Sequence, residues 1–146
     1  QEGGALKKLL PLFQMGAGGP VGNGTQWMSW IHVDDLVGLL SHLLKAEKGS
    51  GPVNGVAPEP VTNKAFSRSL GHALGKPAFL PAPAFALKLA MGEMSSLVLG
   101  SQLVKPKKPL ELGFKFQYPS IDLALEEIVK KKVNLNLHAS SGSVAR

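Results

Sequence analysis

The sequence predicts an α/β fold, and three features carry that prediction. In Gln26–Leu40, QWMSWIHVDDLVGLL, an apolar run with strand spacing at Trp30–Val33 meets two acidic residues, after which the apolar positions fall at helical intervals of three and four. A glycine-rich loop, Gly16–Gly24, leads into this junction. Short strand patterns then alternate with longer amphipathic helical ones, without internal repeats. A strand that ends where a helix begins is where α/β proteins usually place their ligands.

Taken in order, Leu6, Leu9, Leu10 and Phe13 form one helical stripe within Gly3–Met15, with Lys7 and Lys8 on the other face. Pro11 should kink this helix or mark its last turn. The glycines of Gly16–Gly24 look like a phosphate cradle, but a strand follows them rather than a helix, which leaves a flexible turn or an active-site rim. Trp30–Val33 reads as a buried strand. Asp34 and Asp35 read as caps of the helix through Leu36, Leu39, Leu40, Leu43 and Leu44, where the dipole and free amides favour carboxylates. An acid/base pair is the competing role for these two residues. Lys45–Gly51 ends that helix, and Pro52–Ala57 reads as a second short strand closed by Pro58 and Pro60. Thr62 should cap a helix from Asn63 to about Leu74, with Phe66, Leu70 and Leu74 on one side and Gly75 ending it.

Beyond it, Pro77–Pro83 reads as extended, Ala84–Val104 as a helical run, and Lys105–Pro109 as a linker. Leu110–Gly113 reads as a helical turn, Phe114–Tyr118 as an alternating strand-like segment, and Ile121–Val129 as a final amphipathic helix. The organisation expected is residues 1–60 as the last sheet units with the loop and junction, 61–129 as a substrate-side module, and 130–146 as a flexible tail.

The composition narrows the function classes. A chain of 146 residues, 44% hydrophobic and 18% charged, can bury a core of its own. The absence of cysteine excludes a disulfide framework, a thiolate metal site and a Cys nucleophile, and fits a reducing compartment. The net charge of +6 gathers in Lys105-Pro106-Lys107-Lys108 and Lys130-Lys131-Lys132, which read as solvated lysines. No interleaving of Arg with aromatic residues supports a nucleic-acid partner. Phe79–Val104 is too interrupted by Pro, Lys, Glu and Gln to cross a bilayer, so a soluble protein is expected. His42, His72 and His138 lack metal-ligand spacing, and no metal site is expected. The chain opens on Gln1-Glu2 with a helical pattern already in its first turn and has too few strands to cover a sheet edge. Both features suggest a piece of something longer.

Trp30-Ile31-His32-Val33-Asp34-Asp35-Leu36 resembles the [FYW]-I-H-V-x-D-[LV] junction of the extended short-chain dehydrogenase/reductase superfamily, the NAD-dependent epimerase/dehydratase group. Gly18-Gly19-Pro20-Val21-Gly22-Asn23-Gly24, Asn54-Gly55-Val56-Ala57-Pro58, Pro60-Val61-Thr62-Asn63, Leu80-Pro81-Ala82-Pro83 and Phe116-Gln117-Tyr118-Pro119 resemble one branch of it. That branch is the epimerase-like family with the bacterial cell-division-inhibitor-like proteins and their plastid and animal counterparts. The resemblance runs from about Gly3 to Val129.

It implies the C-terminal portion of a doubly wound Rossmann-type fold with a mainly helical substrate-side subdomain, the N-terminal nucleotide-binding half being absent. The family's cofactor-binding glycine turn and catalytic Tyr-x-x-x-Lys fall in that half. Tyr118 is followed by Pro119-Ser120-Ile121-Asp122 and has no Lys four residues on, so no catalytic residue is assigned to this chain. NADP or NAD is expected for the full-length parent and no cofactor for this chain alone. Where nucleotide-sugar epimerases commonly carry a diphosphate-binding Arg, this chain has Met28, which speaks against such a substrate.

Trp27, Met28, Trp30 and His32 are the pocket-wall candidates, with core packing as the alternative for the tryptophans and a structural hydrogen bond for His32. The expected partners are the missing N-terminal half and a small-molecule substrate, in the cytoplasm or the interior of a plastid or mitochondrion. Function divides into two expectations. One is part of an NAD(P)-linked oxidoreductase, acting on a small uncharged substrate and inactive in isolation. The other is a non-catalytic scaffold in assembly or division.

Overall fold

The computed structural model describes residues 5–46, 50–81, 92 and 100–141. Along the chain lie α1 (Ala5–Gln14), β1 (Trp27–Met28), α2 (Val33–Lys45), β2 (Val61–Thr62), α3 (Asn63–Leu74), α4 (Lys107–Glu111) and α5 (Ile121–Ser141). Helical periodicity in the apolar residues builds the core. Leu10 and Phe13 of α1 meet Leu70 of α3 and Ile121 and Leu125 of α5, with Phe66, Trp30 and Val61 packed around them. Burying each such side chain stabilises by roughly 1.5–3 kcal/mol, so these contacts are the main reason α1, α3 and α5 stay together. Helix α3 starts at Thr62, whose hydroxyl accepts from the Ala65 amide, and stops at Gly75, which adopts the left-handed φ of 62°.

The strands differ from the sequence expectation. Neither Trp30–Val33 nor Pro52–Ala57 forms a ladder; they meet through the Ala57 amide donating to the Trp30 carbonyl at 2.6 Å. Regular pairing falls instead on β1 and β2, antiparallel, with Trp27 opposite Thr62 and Met28 opposite Val61. A buried parallel strand needs neighbours on its edges, and the described residues supply none for Trp30–Val33. Val33 itself belongs to α2.

Phe114–Tyr118 keeps its alternation as burial, with Phe114, Phe116 and Tyr118 half-buried and Lys115 and Gln117 exposed, but it is not a strand. The expected linker at Lys105–Pro109 gives way to α4, and the expected tail from Lys130 is helical backbone as far as Ser141. Most of the Ala84–Val104 run lies outside the described residues, and Ser101–Val104 carries no helix.

The glycine-rich loop is fastened rather than flexible. The Val21 amide donates to Asn63 Oδ1 at 2.7 Å, and the Asn63 and Lys64 amides donate to the Gln26 and Gly24 carbonyls. A side chain at Gly19 would place its Cβ 2.0 Å from the Leu80 carbonyl oxygen, so this glycine is required by a close approach of two backbones. Gly38, inside α2, is the opposite case: its Cβ would meet only the Phe114 ring at 3.6 Å. Gly19→Ala is therefore expected to destabilise the fold by about 1–3 kcal/mol. Gly38→Ala is expected to stabilise it by about 0.5–1 kcal/mol. Chemical denaturation of the two variants checks both signs.

Candidate functional site

The junction at the start of α2 holds two of the four buried polar side chains among the described residues, His32 and Asp35. His32, not Asp34 or Asp35, is the N-cap of α2: its Nδ1 accepts from the Asp34 amide at 3.2 Å. An imidazole lone pair here does the work that a Ser or Asp oxygen does at other helix starts. With Nδ1 accepting, the ring proton is on Nε2, which donates to Glu127 Oε2 at 3.0 Å. The Tyr118 ring lies over the imidazole, centroids 4.0 Å apart. His32 is 2% exposed, so both ring nitrogens are satisfied inside the protein.

The two aspartates, which read alike in the sequence, do different things. Asp35 is 1% exposed and turns away from its own helix. Its carboxylate accepts from the Gln117 amide at 2.7 Å and the Tyr118 amide at 2.9 Å, tying the chain before α5 to α2. Asp34 is at the surface, where Lys131 of α5 reaches it at 3.3 Å and also pairs with Glu127. Hydrogen bonds to Glu127 first and to Asp34 second hold the Lys131 ammonium above its ordinary pKa.

His32, Asp34 and Glu127 offer ligand atoms within 4.8 Å of one another, the spacing of a cation site. Here the cation is the Lys131 ammonium, and the His32 lone pair is already taken by the Asp34 amide. The cluster is a closed ion network that fixes α5 to α2.

Trp27, Met28 and Trp30 are placed by backbone and core contacts. The Trp30 indole donates to the Glu59 carbonyl at 2.8 Å and packs against the core. Met28 Sδ accepts from Asn63 Nδ2 at 3.4 Å. The Trp27 amide donates to Ser101 Oγ at 3.1 Å. A cavity of about 390 Å³ opens elsewhere, lined by Pro20, Lys64, Arg68, His72, Lys76, Ala78 and Phe79, and none of the four pocket-wall candidates borders it. The four-residue spacing of Lys64, Arg68, His72 and Lys76, opposite the Phe66-Leu70-Leu74 stripe, is the sequence signal that would have found it.

Comparison with known proteins bears on the whole arrangement. The family model described as a domain of unknown function (DUF1731) matches residues 82–128. The chain is 47% identical over 130 residues to the Arabidopsis thaliana chloroplastic homologue of the epimerase family protein SDR39U1, covering 89% of this chain and 38% of that protein. It is 41% identical over 128 residues to the Homo sapiens SDR39U1, covering 87% and 44%.

Among solved structures, that of human SDR39U1 (isoform 2) with NADPH matches with a TM-score of 0.81 at 39% identity over 89% of this chain and 44% of that one. A nucleoside-diphosphate sugar epimerase from Corynebacterium glutamicum matches with a TM-score of 0.55 at 31% identity, over 82% and 23%. The chain belongs to the epimerase family of extended short-chain dehydrogenases/reductases, and its α/β fold corresponds to a C-terminal portion of their Rossmann-type architecture. It spans about 38–44% of the length of these curated relatives.

The glycine loop and Tyr118 lack the arrangement of a dinucleotide site. The glycine loop leads into β1 rather than a helix and is packed against the Leu80 backbone, and the amide of the chain's one tyrosine is bound to Asp35. The glycine loop thus offers no pyrophosphate cradle of the strand-to-helix kind, and no hydride step is assigned to it or to Tyr118.

Two outcomes test the network. Asp35→Asn leaves one amide facing an NH₂ group and is expected to cost about 2–4 kcal/mol, with the Gln117 and Tyr118 amides exchanging hydrogen much faster by NMR. Lys131 has its pKa raised by folding, so its stabilisation is present below the unfolded value and lost as pH rises through the folded one. Lys131→Met should therefore be less stable than the parent sequence at neutral pH, and the gap in urea midpoint should close at strongly alkaline pH.

Proposed function

We propose that this chain is the substrate-side portion of an NADP(H)-dependent epimerase-family oxidoreductase, and that it is inactive by itself. The similarity to an NADPH-bound family structure over 89% of the chain carries this reading. The nucleotide-binding portion, with the tyrosine and lysine that the family uses for proton transfer, would come from the part of the relatives that this chain does not span. The small-molecule substrate would enter between the two portions. Met28 in place of a diphosphate-binding arginine argues for a substrate other than a nucleotide-diphosphate sugar.

Helix α2 supports the partnership. Its inner face carries Asp35 and Leu39, both buried, while Val33, Val37, Leu40 and Leu44 form an exposed apolar stripe at helical spacing. Val33 is 51% and Leu44 89% exposed, an amount of apolar surface on one helix that calls for a cover. The occupant proposed is the nucleotide-binding portion of the same family.

No helix among the described residues is long and apolar enough to cross a membrane. With the chloroplastic homologue and the lack of cysteine, this favours a soluble protein in a reducing compartment, the cytoplasm or an organelle interior.

Mixing this chain with the nucleotide-binding portion of the Arabidopsis relative is expected to give a one-to-one complex that binds NADPH, read by size exclusion and nicotinamide fluorescence. Leu40→Asp should abolish the complex without disturbing the core at Leu70. Saturable NADPH binding by the 146-residue chain alone would overturn the proposal, as would failure of the two portions to associate.

A further inference from the structure

The basic cavity on α3 is not accounted for by the family reading and does not depend on it. Lys64, Arg68 and His72 follow one another at intervals of four residues, about 6 Å of rise each, along one face of α3. Lys76, just past the helix end, continues the row, and Pro20 and the 72% exposed Phe79 wall the cavity with apolar surface.

This row is placed against local electrostatics. Like charges four residues apart repel, and Lys64 lies in the first turn of the helix, where the dipole disfavours cations. Helix α3 contains no Asp or Glu, and the cavity lining contains none. Three lysines elsewhere pair with carboxylates: Lys107 with Glu111, Lys130 with Glu126, and Lys131 with Asp34 and Glu127. Among the described residues no carboxylate pairs with Lys64, Arg68 or Lys76. The repulsion within the row and the dipole's effect on Lys64 are both relieved by a bound anion.

The geometry points to a binding cleft for a small phosphorylated organic molecule. Arg68 presents the planar fork suited to two phosphate oxygens. Lys64 and Lys76 supply point charges on either side, and the organic part lies against Phe79 and Pro20. A volume of about 390 Å³ is in the range of small-ligand pockets. Pro20 comes from the glycine-rich loop, whose anchoring by Asn63 to the start of α3 holds this wall in place. The site is distinct from Met28, whose side chain faces Asn63.

The test is a titration of the 146-residue chain with phenyl phosphate and with inorganic phosphate, followed residue by residue by NMR. The expected result is saturable shifts confined to Pro20–Val21 and residues 64–79, with phenyl phosphate binding the tighter. Arg68→Gln should weaken binding at least tenfold, Arg68→Lys by less, and Lys115→Gln not at all. Phe79→Ala should remove the preference for phenyl phosphate. Circular dichroism verifies that each variant stays folded. Shifts spread over all exposed lysines, or equal losses in Arg68→Gln and Lys115→Gln, would overturn the proposal. So would a single-stranded oligonucleotide that displaces phenyl phosphate and contacts the Lys105 and Lys130 clusters as well. No nicotinamide enters the measurement, so its outcome is separate from that of the family reading.

Discussion

The grip of the Asp35 carboxylate on the Gln117 and Tyr118 amides is the contact on which the other arrangements depend. An ionised carboxylate taken out of water costs several kcal/mol unless its oxygens are hydrogen-bonded, and here each oxygen receives a backbone N–H that would otherwise be unpaired. The bond spans more than eighty residues of sequence and sets where α5 begins relative to α2. With α5 so placed, Glu127 reaches His32, Lys131 reaches Asp34, and Ile121 and Leu125 face Leu70. His32 then closes the circuit, capping α2 with one nitrogen and binding α5 with the other. The heptad WIHVDDL therefore works as an adaptor in which consecutive polar residues face a cap, the solvent and the interior.

This explains how much of the chain could be read beforehand. Helices α1 and α3 were legible because their signals are local: Leu6, Leu9, Leu10 and Phe13 repeat at helical spacing, and Thr62 and Gly75 stand where a cap and a left-handed stop are needed. The strands were not, because a strand exists only by virtue of its neighbour. Trp30–Val33 has the composition of a buried strand, yet the described residues give it one cross-chain bond, and Val33 is drawn into α2. The Phe114–Tyr118 alternation is real as burial, but its Gln117 and Tyr118 amides bond to a carboxylate rather than to a ladder. Asp34 and Asp35 could not be told apart by type or spacing, since only tertiary contact decides which faces inward.

The candidate sites followed the same division. Trp27, Met28, Trp30 and His32 stand at the strand-to-helix junction, and the structure gives each a specific bonding or packing partner there. The cavity is legible in the sequence as a period-four row of cations, which the net charge hides because lysines late in the chain dominate it. Net charge reports quantity, and helical spacing reports direction. Lys64, Arg68 and His72 matter because they share a face.

Two exposed surfaces among the described residues lie on different helices and differ in kind. Helix α2 turns an apolar stripe outward, which water penalises in proportion to area and which only another packed surface relieves. Helix α3 turns a cationic row outward, which water tolerates and an anion stabilises further. A protein portion suits the first and a small solute the second; exchanging them would bury uncompensated charge in one case and leave hydrocarbon wet in the other. The fold keeps them apart by burying Leu39 and Asp35 behind the stripe of α2, and Leu70 and Ser67 behind the row of α3. Each helix thus commits one face to the interior and turns outward a face of different chemistry.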